Sequence, residues 1–470
     1  MNRAALTAAW TASAACASLV AATPAAAHGL VGKQDLPIPR WMFAWSATIV
    51  LVISFVGLAA LWTKPILVAA HAKRVIGLPA LLDPLLGAIG VAWFALLIYA
   101  GFAGSQVETA NLVPTSVYVM FWVGIPMLSL VFGDVFRPLN PWRAIGRFTG
   151  WIVQKAMGDV PDPIAYPTGL GHWPAAIGIF LFACLELVYS DGTDPSHLAA
   201  LIVAYSVVQF LGMAIFGVRP WCAHGDAFGV YFGLFATLSF LRLSPRAIAR
   251  RVPLSGTAQV VPIAGTIGLL CVMIGSTSFD GFTSTEVWRT MADWLRERYL
   301  DIGLSLRPAV ELTFLTGLVL CTAAISALYL LGARGIRTVD RTRTTMELAR
   351  KFAPSLIPIA LAYVLAHYFG MFAYQSQAMA FLVSDPLGRG SDLFGTASAT
   401  IDYGWISATA IWYVQITVLV LGHAAGLALA HDRALELYGS GRKATQSQYW
   451  MLGVMITFTC LALWLLSNVD

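Results

Sequence analysis

Charged residues are scarce in this chain. Asp, Glu, Lys and Arg together make up 11% of its 470 residues, whereas soluble domains carry about a quarter. With 58% hydrophobic residues and a mean hydropathy of +0.73, the composition excludes a soluble globular protein and indicates an integral membrane protein in contact with a lipid bilayer. The net charge of +5 comes from basic clusters between apolar runs, a pattern typical of cytoplasmic loops that does not indicate nucleic-acid binding.

Contiguous metal-binding and disulfide motifs are also missing. The six cysteines are scattered, mostly inside apolar runs, and none belongs to a CxxC pair. Neither a disulfide framework nor a thiolate metal site is therefore indicated. The sequence contains no HExxH or HxH motif. There is no room for a soluble domain, because the longest gaps between apolar runs are 134–172, 278–308 and 375–403.

The first 27 residues have the pattern of a secretory signal peptide. One positive charge, Arg3, precedes an alanine-rich core that ends in Ala-Ala-Ala before His28, as expected at a cleavage site. The alternative is an uncleaved first helix, although Thr, Ser and Pro interrupt the core and leave it barely apolar enough to span. We predict a signal peptide over 1–27 and a single integral membrane domain over 28–470.

The fold class predicted is all-α, a polytopic transmembrane bundle of about ten spans plus one irregular or re-entrant element. A helix needs about 20 apolar residues to cross the hydrocarbon core. The glycine-rich run 225–243 is the irregular element. The predicted spans are 42–62, 80–101, 112–133, 173–190, 197–217, 258–277, 309–332, 354–374, 404–430 and 447–467.

The positions of Lys and Arg favour one orientation in the bacterial inner membrane, with the mature N-terminus facing the periplasm. If the run 225–243 crossed fully, the basic clusters that follow it would lie outside. If it enters and leaves on the cytoplasmic side, every basic cluster lies inside. The loops 278–308 and 375–403 then face outward, on the same side as His28.

Ionisable residues inside apolar runs are functional candidates, because burying them in a membrane is costly. His367 lies within an apolar span, on one helix face with Tyr363, Met371 and Tyr374. The alternative is a hydrogen bond across a helix pair, which is also the simpler explanation for His423.

Acidic residues mark the predicted outer ends of the spans. Asp280 and Asp402 each lie beside an aromatic residue at such an end, and Glu186 lies about one turn inside another. At the mouth of the irregular element, His224 and Asp226 flank a glycine. A carboxylate beside an imidazole can orient the ring, share its proton or bind a metal with it.

His28 becomes the N-terminal residue if the signal peptide is removed. It then offers an α-amine and an imidazole, a chelating pair that suits copper or zinc. We predict a divalent metal ion, zinc or copper, among the candidate ligands His28, His367, Asp280, Asp402, His224 and Asp226. The predicted catalytic residues are His367, Asp280, Asp402 and Glu186, the last as a base or as a residue supporting the ligands.

The sequence resembles a group of bacterial multi-span membrane proteins, some of which are described as fenitrothion hydrolase components. The resemblance runs through nearly the whole mature chain, and it implies a membrane-bound hydrolase of organophosphorus triesters acting with a second, related membrane subunit. It assigns no catalytic residue. The segments that carry it are "AHGLVGKQDLPIPRWMFAW", "RPLNPWRAIGR", "HGDAFGVYFGLFA", "GSTSFDGF", "ALAYVLAHYFGMFAYQSQ", "SDPLGRGSDLFGTA", "IDYGWISATAIWYVQ" and "GHAAGLALAHDRA".

Three functions are therefore open. The first is hydrolysis of a small apolar organophosphate at the outer face, with a metal ion lowering the pKa of the attacking water to about 7. The second is a transporter or channel for copper or a small apolar solute, with His224, His367 and His423 as a relay. The third is a non-catalytic membrane subunit whose polar residues serve helix packing.

Overall fold

A computed structural model describes residues 40–158, 161–439 and 441–467. The predicted signal peptide and His28 lie outside these ranges. The first half contains α1 (Arg40–Leu61), β1 (Lys73–Gly77), α2 (Leu82–Ala103), α3 (Leu112–Phe132), α4 (Phe136–Leu139), α5 (Pro141–Met157), α6 (Trp173–Leu187), α7 (Pro195–Phe216), α8 (Val218–His224) and α9 (Ala227–Ala236). The remainder contains β2 (Leu241–Ser244), β3 (Ala247–Arg250), α10 (Ser255–Ala258), α11 (Thr266–Thr283), α12 (Glu286–Asp301), α13 (Leu306–Ile336), α14 (Thr345–Phe352), α15 (Leu356–Gln375), α16 (Met379–Ser384), α17 (Ala408–Tyr438), α18 (Gly441–Ser447) and α19 (Tyr449–Ser467).

Long apolar helices dominate the described residues. Eight are long and apolar enough to cross a membrane, and three shorter apolar helices cover Trp45–Leu61, Trp173–Leu187 and Ala227–Ala236. Large apolar side chains on α2 and α7, such as Leu85, Ile89 and Leu211, remain exposed on the bundle surface, as expected where lipid replaces water. The prediction of an all-α, multi-pass membrane protein is confirmed.

The centre of the bundle is α15, most of whose residues are buried. It packs closely against α17 because two glycines of α17 face its backbone. A Cβ at Gly422 would lie 2.3 Å from the Ala362 Cβ and 2.8 Å from the Pro358 carbonyl oxygen, and one at Gly426 would lie 2.9 Å from the Ser355 carbonyl oxygen. Small residues at such contacts allow helix backbones to approach in a membrane, where dispersion rather than water exclusion holds helices together.

A small antiparallel sheet, in the order β1–β3–β2, marks one end of the bundle. Arg74 of β1 opposes Ala249 of β3, so the chain before α2 lies beside the chain after α9. The far end of α2 lies against the start of α7, since a Cβ at Gly101 would lie 2.8 Å from the Pro195 carbonyl oxygen. Both α2 and α7 therefore run between the sheet end and the opposite end.

The same reasoning places α8 and α9. Because α7 begins at the end opposite the sheet, it finishes at the sheet end, and the chain after α9 forms β2 and β3 at that end too. The segment 217–240 therefore starts and finishes on one side of the bundle. This arrangement follows from chain connectivity without reference to charge.

The helix that carries Asp280 also begins at the sheet end. The His172 amide at the start of α6 donates to the Ala264 carbonyl oxygen just before α11, at 2.7 Å. Since α6 and α7 are joined by the short connection 188–194, α6 starts at the end where α7 finishes. Asp280, three residues before the last residue of α11, therefore lies toward the end opposite the sheet.

We predict that Arg74→Cys combined with Ala249→Cys forms a disulfide in a chain whose native cysteines are replaced. Directly opposed residues of an antiparallel pair have Cα atoms about 4.5–5.5 Å apart, within the range that a disulfide accepts. Loss of maleimide labelling after mild oxidation measures it. The control pair, Arg74→Cys with Ser305→Cys, joins opposite ends and should stay reduced; equal behaviour of the two pairs would contradict this topology.

Candidate acid–base centre

Two ionisable residues predicted from the sequence meet inside the bundle. The Nε2 atom of His367 on α15 lies 2.9 Å from the Oδ2 atom of Asp280 on α11. The Asp280 side chain is 2% exposed and the His367 side chain 13%. The carboxylate is therefore enclosed, while the imidazole keeps a narrow exposed edge.

A third side chain completes this group. The Tyr368 hydroxyl, also buried, donates to the same Oδ2 atom of Asp280 at 2.7 Å. His367 and Tyr368 are consecutive on α15, with their rings at a centroid distance of 4.7 Å and nearly perpendicular. One carboxylate oxygen thus receives two partners from one helix, which fixes the rotation of α15 relative to α11.

Asp280 differs from the neighbouring polar residues of α11, whose hydroxyl groups form hydrogen bonds within that helix. The Thr277 hydroxyl donates to the Met273 carbonyl oxygen at 3.2 Å, and the Ser278 hydroxyl donates to that of Ile274 at 2.7 Å. These short side chains satisfy their hydrogen bonds within their own helix, as they commonly do in membranes. A carboxylate accepts hydrogen bonds only, so it needs donors from another element when it is buried.

The pair has the chemistry of a general base. A carboxylate that accepts from Nε2–H holds the ring in the tautomer protonated there, and Nδ1 is then the basic nitrogen. When Nδ1 takes up a proton, the nearby carboxylate stabilises the imidazolium. Asp280 positions His367, and Tyr368 holds Asp280.

Glu186 is the predicted site residue on α6. It is half-buried near the end of α6, one helical turn after Phe182, whose ring contacts those of Tyr118 and Trp122 at centroid distances of 6.0 and 4.6 Å. The Tyr118 hydroxyl donates to the Gly192 carbonyl oxygen at 2.6 Å, in the connection after α6. Glu186 therefore lies at the outer end of α6, and the contact that Tyr368 makes with a carboxylate is the one with Asp280.

Asp402 is not part of this group. Its side chain is exposed, and its Oδ1 atom accepts from the Gly404 amide at 2.8 Å. Its backbone pairs with the Gln377 side chain. Gln377 follows His367 by ten residues, or about 15 Å along a helix.

His224 and Asp226 form separate contacts. Asp226, fully buried, accepts from the Asn140 amide at 2.7 Å and from the Tyr205 hydroxyl at 2.9 Å. The His224 ring packs against Tyr166 and His172, at centroid distances of 5.3 and 5.8 Å. Asp226 thus joins α9 to its neighbours, and its hydrogen bonds go to groups other than the imidazole.

Asp280 and His367 are the two predicted metal ligands that the structure brings together. Within the described ranges, no three His, Cys, Asp or Glu side chains gather in a way that could hold a metal ion. Asp280 and His367 supply two ligands, whereas a catalytic zinc uses three from the protein. His28 lies outside the described residues.

We predict that Tyr368→Phe destabilises the protein by about 1–3 kcal/mol, the usual cost of removing one donor from a buried charged acceptor. Tyr363→Phe on the same helix is the matched control, since its buried hydroxyl donates to a neutral acceptor, the Phe458 carbonyl oxygen, at 2.7 Å. Reversible unfolding in mixed micelles measures both changes. A Tyr363→Phe effect equal to or larger than that of Tyr368→Phe would show that Asp280 does not depend on this hydroxyl.

Comparison with protein-family models, with curated proteins and with solved structures finds no match for this chain. Its function therefore has to be inferred from the geometry of the centre and from the sequence itself.

Proposed function

We propose that the chain crosses the bacterial inner membrane ten times, with α8 and α9 forming a re-entrant element and the N-terminus in the periplasm. The crossing helices are the eight long ones, which include α15, together with the shorter α1 and α6. Basic residues support placing the sheet end in the cytoplasm, since Lys and Arg concentrate on that side. Those in or next to the sheet are Lys73, Arg74, Arg242, Arg246, Arg250 and Arg251. This orientation puts Asp280 and His367 in the outer half of the membrane.

The function that we propose is hydrolysis of a small apolar ester inside the membrane, with His367 as the general base. The observation that carries the proposal is the enclosed pair of Asp280 and His367, 2.9 Å apart, with Tyr368 on the same carboxylate oxygen. Organophosphorus triesters are the substrate class that the sequence resemblance implies. We also propose that the protein acts with a second, related membrane subunit, as the resemblance implies.

The reaction follows from the pair. His367 Nδ1 takes a proton from a water molecule as its oxygen bonds to the phosphorus atom of the neutral triester. The bond from phosphorus to the aryloxy oxygen breaks, and the aryloxide leaves with the electron pair. The Asp280 carboxylate stabilises the imidazolium until its proton is released. A neutral triester does not need an Arg or Lys clamp, and an apolar one reaches this depth from the lipid.

A transporter or channel is the second candidate, and one specific observation favours it. Acidic and phenolic side chains inside the apolar bundle lie on five helices, as they often do along ion and proton pathways. They are Tyr118 on α3, Glu186 on α6, Tyr231 on α9, Asp280 on α11 and Tyr368 on α15. The same network suits the transfer of protons with a solute. Flux into proteoliposomes, without bond cleavage, is the result that would favour this function.

We predict that His367→Gln lowers kcat/KM for a dialkyl nitrophenyl phosphate by about 10²–10⁴-fold, the usual contribution of a general base. Release of nitrophenolate by purified protein in proteoliposomes measures it. His423→Gln is the matched control, because His423 is buried on the adjacent helix and its Nδ1 pairs within that helix, with the Leu419 carbonyl oxygen at 2.8 Å.

Adding a metal chelator to the same nitrophenolate assay tests the prediction of a metal ion. The pair alone predicts activity that survives chelation, whereas loss on chelation and recovery with zinc would support a metal centre that includes residues such as His28. A His367→Gln protein that keeps normal turnover would remove His367 from the reaction.

A further inference from the structure

The residue that follows Asp280 on α11 is a glycine, and it lies against the ring of His367. A Cβ atom at Gly281 would lie 3.7 Å from both the Nδ1 and the Cε1 atom of His367, and 3.4 Å from the Leu465 Cβ on α19. These are ordinary van der Waals separations between atoms that are not bonded. The glycine therefore leaves a space about the size of a methyl group beside the Nδ1 edge of the ring.

Close helix packing does not account for this glycine. A Cβ at Gly275 on the same helix would lie 2.7 Å from the Thr322 Cα, so that position excludes any larger residue. Gly281 has a helical backbone and room for alanine, which is the better helix former. What the glycine provides is access to the His367 ring.

The space at Gly281 lies close to the surface of the bundle. The next residue on α11, Phe282, and the residue before Leu465 on α19, Trp464, have their rings at a centroid distance of 6.4 Å. Trp464 is 41% exposed. The His367 ring can therefore be approached from the side where α11 meets α19.

Apolar side chains line this approach, and they favour a neutral molecule. Phe282, Trp464 and Leu465 carry no charge, and the charged group beyond them is the Asp280 carboxylate. An anion would lose its hydration there and meet a like charge. A neutral apolar molecule instead gains contacts with the two aromatic rings.

We propose that Gly281 determines which molecules reach His367. Small neutral esters enter from the lipid between α11 and α19, and the space at Gly281 limits the size of the group that lies beside Nδ1. A larger residue at position 281 narrows the approach, and a smaller residue at position 465 widens it. The role of this selection in hydrolysis rests on the proposed function, whereas access to the ring does not.

Diethyl pyrocarbonate tests the approach directly, because it is a small neutral molecule that transfers an ethoxycarbonyl group to an imidazole nitrogen. The unmodified protein in lipid nanodiscs is treated briefly, and the modified peptides are measured by mass spectrometry. His367 should react, and His423 should not. His423 is the matched control, since it is fully buried and its Nδ1 pairs with the Leu419 carbonyl oxygen at 2.8 Å. Equal, slow reaction of the two histidines would overturn the proposal.

Two variants change the approach in opposite directions. Gly281→Ala should lower the reaction rate of His367 by about tenfold or more, the effect of one methyl group in an apolar pocket. Leu465→Ala should raise that rate while His423 stays unreactive, which separates a wider approach from unfolding. The control is Gly453→Ala on α19, where a Cβ meets no atom of the described residues within 4 Å; its rate should not change. A Gly281→Ala protein that reacts as fast as the unmodified one would overturn the proposal.

The hydrolysis assay tests the role of Gly281 in turnover. Gly281→Ala should lower kcat/KM by about tenfold for a dimethyl nitrophenyl phosphate, and by more for the dipropyl ester. Normal kcat/KM in this variant, with an active unmodified protein, would overturn that role. Absence of hydrolysis in the unmodified protein would instead overturn the proposed function, and the result with diethyl pyrocarbonate would stand.

Discussion

The buried carboxylate of Asp280 is the constraint on which the centre depends. An ionised carboxylate in an apolar interior is tolerated only when donors surround it. Here His367 and Tyr368, consecutive residues of α15, meet on one oxygen of the carboxylate. A rotation of α15 by a single residue, about 100° of helix, would remove both contacts at once. The pair therefore fixes the register of two central helices.

The packing of α15 makes this register reproducible. Its backbone lies against Gly422 and Gly426 of α17, at separations that no larger side chain would permit. The π-helical part of α3 packs against α9, where Trp122 stacks on Tyr231. The functional groups thus stand on packed helices, which hold reacting groups more rigidly than loops do.

Much of the architecture follows from the sequence. Low charge and long apolar runs predict a multi-pass helical protein, in agreement with the long apolar helices of the described residues. Each member of the central pair is also recognisable, because His367 and Asp280 are ionisable residues within apolar helices. The sequence does not predict that these two residues pair, because the pairing depends on how α11 and α15 cross.

The residues that were missed show where sequence reasoning stops. The i, i+4 pattern of Tyr363, His367 and Met371 leaves Tyr368 out. In the structure, the adjacent residues His367 and Tyr368 nevertheless bind the same carboxylate, that of Asp280. The sequence favours placing Asp402 near His367 at the outer end, but Asp402 pairs with Gln377, about 15 Å of helix beyond His367.

The central claim is that Asp280 sets the protonation of the His367 ring. Nitrogen-15 solid-state NMR of histidine-labelled protein in lipid, with the His367 signals assigned by their loss in His367→Gln, measures it directly. The account predicts a single neutral tautomer protonated at Nε2, and a change to a mixture of tautomers in Asp280→Asn. A His367 spectrum that is the same in the unmodified protein and in Asp280→Asn would contradict it.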